Sequence, residues 1–129
     1  MTRGERRLDR TPEEGAATVW ALAMVHLLLL AALASAAVGA VALTRQRVAA
    51  VADIAALAGA QAAGDPCAGA GSAVAANGMD LQACVWDGTD VVVTVRADPP
   101  ALVGRLAALL GRDPFPVTVS ARAGAPLSP

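Results

Sequence analysis

The chain contains no lysine and no tyrosine, and aromatic residues are only 2% of its 129 positions. Histidine occurs once, as His26, and no glutamate follows Glu14. Formal net charge is −1. These shortages exclude whole classes of function. A nucleic-acid binder needs excess cations against phosphate, and usually aromatic platforms for the bases. Acid–base or nucleophilic catalysis needs a base beside its nucleophile. Here the one histidine lies inside an apolar run, and Ser72, Ser120 and Ser128 have no base partner. Asp87 and Asp90 flank a turn, and turn chemistry accounts for them better than a carboxylate pair does. The stretch GAGSAVAANG lacks a phosphate-loop lysine and a preceding strand. The two cysteines, Cys67 and Cys84, are too few for zinc without a histidine in the same region, and their spacing is not C-x-x-C. The sequence therefore predicts no enzyme, no cofactor, no metal, no small-molecule substrate and no nucleic-acid partner.

What the chain has in excess is apolar residues, at 56%, with roughly a quarter of all positions alanine. Charged residues are 16%, too few and too unevenly placed for a disordered polymer. Residues 1–15 hold Arg3, Arg6, Arg7 and Arg10 beside Glu5, Asp9, Glu13 and Glu14. No formally charged side chain then appears from Gly15 to Thr44. Residues 16–43 would form a helix roughly 42 Å long at ~1.5 Å per residue. A bilayer core is about 30 Å thick, so this segment is expected to span a membrane once. Four arginines precede it, and Arg45 and Arg47 follow, which predicts a cytoplasmic N-terminus and an extracytoplasmic C-terminal part. Trp20 suits the interfacial belt. His26 is expected as a neutral imidazole satisfied by a neighbouring helix.

Nothing at Thr44 stops that helix, and residues 44–63 continue without proline in an alanine-rich run. Val48, Val51, Ala55 and Ala58 line one stripe; Gln46, Ala49, Asp53, Ala56 and Ala60 line another, small and polar. Small residues permit close helix approach. The stretch Val48 to Ala60, with Val48, Val51, Asp53, Ala56 and Ala60, is thus the expected packing surface for related subunits. Gly64, Asp65 and Pro66 give a stop signal.

Residues 64–124 read as a small head, followed by a loose tail at 125–129. Ala68 to Gly78 is expected as a short helix. LQACVW and VVVTVR flank Asp87-Gly88 and read as a β-hairpin. Its register is open: a two-residue turn sets Trp86 and Cys84 with Val91, Val93 and Val95, and a three-residue loop sets Leu81, Ala83 and Val85 there instead. Asp98 is the expected N-cap of a helix with Pro99 and Pro100 in its first turn and an apolar stripe of Leu102, Val103, Leu106, Leu109 and Leu110. Val117, Val119 and Ala121 alternate inward on a third strand, with Pro116 at its start. Two cysteines outside the membrane in an oxidising space pair, so a Cys67–Cys84 disulfide is expected. On the chain-entropy view it stabilises by about 3 kcal/mol. The fold class is α+β: a long transmembrane helix running into a head with a three-stranded antiparallel sheet and one or two short helices.

The order of a basic segment, a glycine, a long apolar helix and RQRVAAVADIAALAGAQAA resembles the TadE/TadG-like, pilin-related proteins of tight-adherence (Flp-type) pilus systems. The most specific part is Arg45 to Ala60. Cys67, AANG at Ala75 to Gly78, Cys84, the Asp-Gly hairpin and the closing VSARAG look like the actinobacterial TadE-like subgroup encoded beside a helicase and secretion genes. The likeness covers Glu14 to Gly124, and the lysine-free, alanine- and arginine-rich composition fits a high-GC actinobacterium. It implies a minor pilin or pseudopilin, or a membrane-anchored assembly component, whose partners are the membrane, other TadE-like subunits and the Tad assembly machinery. It also implies prepilin-peptidase cleavage between Gly15 and Ala16. The family pattern has glutamate at the fifth mature position, where this chain has Trp20; that departure points to a specialised or membrane-retained subunit rather than the main filament pilin. The competing expectation is a secreted, disulfide-bonded effector or binding protein, released by signal peptidase at Ala34-Ser35-Ala36.

Overall fold

The structure, a computed structural model, describes residues 13–124. Most of the leader expected over residues 1–15 and all of the tail over 125–129 lie outside them. The chain divides after Ala36 into two units, Met1–Ala36 and Ala37–Pro129. The elements in chain order are α1 (Glu13–Ala60), α2 (Pro66–Ala76), β1 (Asp80–Trp86), β2 (Asp90–Ala97), α3 (Ala101–Leu109) and β3 (Val117–Gly124). The architecture is α+β, with a long apolar N-terminal helix, three antiparallel strands and two further helices.

In the first unit every residue from Gly15 to Ala36 is exposed, Leu28, Leu30 and Val19 among them. The helix is long and apolar enough to cross a membrane, and its apolar window is not buried by protein. A helix apolar on all sides has no solvated face to turn to water.

In the second unit the sheet order is β1-β2-β3, with β2 central. Its inner face carries Val91, Val93 and Val95, flanked by Val119, Ala121 and Ala123 of β3. Most of the core opposite comes from α1: Val48, Val51, Ala52, Ala55 and Ala56 are buried with Ala70 and Val74 of α2. No polar or charged residue is buried among the described residues. The core is thus made of valine and alanine, and small side chains leave helix and sheet close together. A side chain at Gly59 would place its Cβ 2.8 Å from the Pro66 carbonyl oxygen and 3.0 Å from Val91. At Gly69 the Cβ would lie 3.0 Å from Ala62. Each fully buried valine stabilises by about 1.5–3 kcal/mol. The head expected over residues 64–124 therefore extends back into α1, without which its inner sheet face is covered by α2 alone.

Helix α1 ends at Ala60, three residues before Ala63, where the continuation was expected to stop. Asp65 then caps α2, accepting a hydrogen bond from the Cys67 amide at 2.9 Å, with Pro66 in the first helical position. Asp98 is not the cap of α3. Pro100 holds that place with no side-chain hydrogen bond, because prolines at 99 and 100 keep the preceding backbone extended and delay the helix to Ala101. Gly78 and Gly111, just past α2 and α3, take left-handed φ values of 66° and 64°.

The hairpin combines both registers. Trp86 pairs with Val91 and Cys84 with Val93, the arrangement of an even-numbered turn, centred on Gly88-Thr89 rather than on Asp87-Gly88. Between Ala83 and Leu81 the register shifts by one residue, so Leu81 pairs with Val95. An extra residue on one strand reverses the side-chain alternation beyond it. Leu81 and Cys84 therefore both lie on the inner side, half-buried, while Ala83 and Val85 are exposed.

Candidate functional site

The candidate surfaces are the apolar half of α1, the exposed faces of the second unit, and the disulfide that ties the head. Polar groups within the apolar half bond to their own helix. The Thr18 hydroxyl donates to the Gly15 carbonyl at 2.8 Å, and the Ser35 hydroxyl to the Ala31 carbonyl at 2.8 Å. His26 Nδ1 lies 2.7 Å from the Leu22 carbonyl oxygen. A carbonyl only accepts, so this contact puts hydrogen on Nδ1. Internal pairing of this kind is what an apolar solvent demands of a polar group.

Gly15 and Ala16, the implied cleavage pair, lie in the first turn of α1, and Trp20 is 71% exposed one turn further on. The expected subunit-packing set separates. Val48, Val51 and Ala56 are buried by the chain's own head, and Ala60 is packed against the same core, so these four are not free to meet another subunit. The physical reason is that the head needs a close-packing helix face and takes the small-residue one for itself. Asp53 alone of the set is exposed. The free side of the helix runs through Leu43, Arg47, Ala50, Ile54, Leu57 and Gln61, all exposed, at alternating four- and three-residue spacing. Ile54 and Leu57 are each 52% exposed.

Cys67 and Cys84 are disulfide-bonded, with a Cα–Cα distance of 5.8 Å, joining the first turn of α2 to β1. At the hairpin turn, Asp87 Oδ1 accepts the amides of Thr89 at 3.0 Å and Asp90 at 2.8 Å. The Arg122 Nε donates to Asp90 at 2.8 Å, and its terminal nitrogen reaches Asp87 at 3.4 Å. The Asp90 and Thr89 amides, with Arg122 beside them, hold the Asp87 carboxyl below its ordinary value of 3.8. This cluster locks a turn; both carboxylates are spent on backbone and arginine, as turn chemistry requires.

Two features escaped sequence reasoning. Leu106, Leu109 and Leu110 of the expected apolar stripe are exposed at 39%, 83% and 75%, and no residue of α3 is fully buried. Phe115, the single phenylalanine, is 85% exposed. The prolines on both sides of it were the available signal, since they keep it out of the sheet. In addition, Val103 of α3 lines an open groove of about 490 Å³ with Ala37, Val38, Val41, Ala42 and Arg45 of α1. Among the described residues no group of three or more histidine, cysteine, aspartate or glutamate side chains is placed to hold a metal ion.

Comparison with protein-family models, curated proteins and solved structures gives no match to this chain.

Proposed function

We propose that this protein is a single-pass, membrane-anchored structural component of the TadE-like, pilin-related kind, serving a Tad (Flp-type) pilus or secretion apparatus. Its N-terminus is cytoplasmic and its head extracytoplasmic. It carries out no catalysis and holds no cofactor. One observation carries the reading: the helix that bears the uncharged run Ala16 to Leu43 also supplies Val48, Val51, Ala52, Ala55 and Ala56 to the head's core. An anchor and a head sharing one helix is the arrangement a pilin-like subunit needs. The helix surface offered to related subunits is the exposed line through Ala50, Asp53, Ile54 and Leu57, in place of the buried valine and alanine face. Trp20, where the family pattern has a glutamate, favours a tip, priming or membrane-resident role. A carboxylate buried among apolar helices is tolerated only when paired, and tryptophan supplies no such pair.

A second reading is supported by one coincidence. The A-x-A sequence Ala34-Ser35-Ala36 ends where the first unit ends, and Ala37 opens the second. Signal-peptidase cleavage there would release a head that retains its whole core, as a secreted disulfide-bonded protein.

Intact mass and N-terminal sequencing of the membrane and culture fractions test both. A membrane-bound chain beginning at Met1 or Ala16 agrees with the anchored component. A soluble chain beginning at Ala37 in the medium overturns it in favour of the secreted protein.

A further inference from the structure

We infer that α3 and the following loop through Phe115 form a second, interfacial membrane contact, lying in the headgroup region of the outer leaflet beside the exit of the α1 span. This rests on the anchored reading above. The first support is position. The groove residues Ala37, Val38, Val41 and Ala42 belong to the uncharged run, and Val103 of α3 lines the same open groove. Twenty helical residues cross a bilayer core, so a run of this length that begins at Ala16 reaches the far headgroups before it ends at Leu43. Arg45, the first charge after the run, lines the same groove. Val103 is thereby set at the boundary between hydrocarbon and headgroups. Leu106, Leu109 and Leu110 lie within about 11 Å of it along α3, at 1.5 Å per residue.

The second support is chemistry. Leu109, Leu110 and Phe115 are between 75% and 85% exposed, more than Val85 at 60% and Trp86 at 55% on the hairpin. They are accompanied by Arg105 and Arg112, with Arg45 and Arg47 on the neighbouring helix, against Asp98 and Asp113. Leucine and phenylalanine beside arginine is the composition of a helix that lies in the interface, apolar side in the acyl boundary and guanidinium groups among anionic headgroups. The partner is therefore an anionic lipid surface.

The test uses the full chain with its disulfide intact. Trp20→Phe and Trp86→Phe remove both tryptophans, and Leu109→Trp, Phe115→Trp or Leu28→Trp returns one. Each protein is reconstituted in phosphatidylcholine–phosphatidylglycerol vesicles carrying bromine either near the headgroup end or near the methyl end of the acyl chain. Tryptophan at 109 and at 115 is expected to lose at least half its emission to the shallow bromines and little to the deep ones. Tryptophan at 28 should show the reverse. Quenching at 28 combined with full, water-like emission at 109 and 115 overturns the interfacial contact while leaving the span standing. Blue-shifted emission at 109 and 115 that bromine leaves untouched also overturns it, and assigns the patch to protein, such as a second copy. Absence of quenching at 28 removes the span, and the interfacial contact with it.

Discussion

Gly59 is the residue at which the closeness of helix and sheet is decided. Its missing Cβ leaves room for the Pro66 carbonyl and for Val91, and a backbone oxygen cannot move aside as a side chain can. Gly59→Ala gains helix propensity of up to about 1 kcal/mol but meets overpacking of about 1–3 kcal/mol. The expected outcome is net destabilisation in a denaturant titration. Gly104 in α3 has open space around it, so Gly104→Ala should stabilise the same protein by about 0.5–1 kcal/mol. A stabilised Gly59→Ala would mean that α1 stands further from the sheet than described. Asp87 offers a second measurement at this scale. Two amides, with Arg122 secondary, lower its folded pKa, so its contribution is present above the unfolded value and is lost as pH falls through the folded one. A carboxyl-detected NMR titration should find its midpoint below 3.8. The amides of Thr89 and Asp90 should shift over the same range, and Asp87→Asn should abolish that response while keeping an acceptor for both.

Among the elements, α1 shows what alternation can and cannot reveal. The strands were legible because β3 alternates valine or alanine with polar residues and β2 is a valine-rich run beside an Asp-Gly turn. The long helix and its junction with α2 were legible from the uncharged run and the Gly-Asp-Pro stop. The inward side of α1 was only half legible: Val48 and Val51 stand out, but Ala56 and Ala50 are identical in sequence and opposite in burial. An alanine-rich helix carries too little contrast for periodicity to choose a side. Hairpin register was illegible for a different reason, since a bulge at Gln82 satisfies both candidate faces in succession. The exposed side gives the next prediction. Ile54→Arg or Leu57→Arg should leave the melting temperature nearly unchanged, as surface substitutions usually do, and should abolish co-purification of pilin-like partners. Ala56→Leu should do the opposite at first hand, destabilising the head by about 1–3 kcal/mol through overpacking. If the arginine variants still capture partners and the head is intact, the helix line is not the assembly surface.

At the scale of the whole molecule, a valine–alanine core without a single aromatic gives limited apolar burial, and the Cys67–Cys84 bond supplements it. The loop it closes spans 17 residues in sequence, worth about 3 kcal/mol on the chain-entropy view. Cys67→Ser with Cys84→Ser should therefore lower stability by about that amount, read as a leftward shift of the urea midpoint with an unchanged far-ultraviolet spectrum at zero denaturant. An unchanged midpoint would show that packing alone holds α2 to β1. The strand order has a consequence in time as well as in space. β2 is central, yet its second neighbour, β3, leaves the ribosome only after β1, β2 and α3. Until Val117 to Gly124 arrives, the nascent head exposes one raw edge of β2, with Val91, Val93 and Val95 along it. Such an edge recruits any extended segment within reach. A nonsense change at Phe115 thus leaves the most adhesive strand uncovered, and its product is expected in aggregates or proteolytic fragments instead of as a shortened, working head.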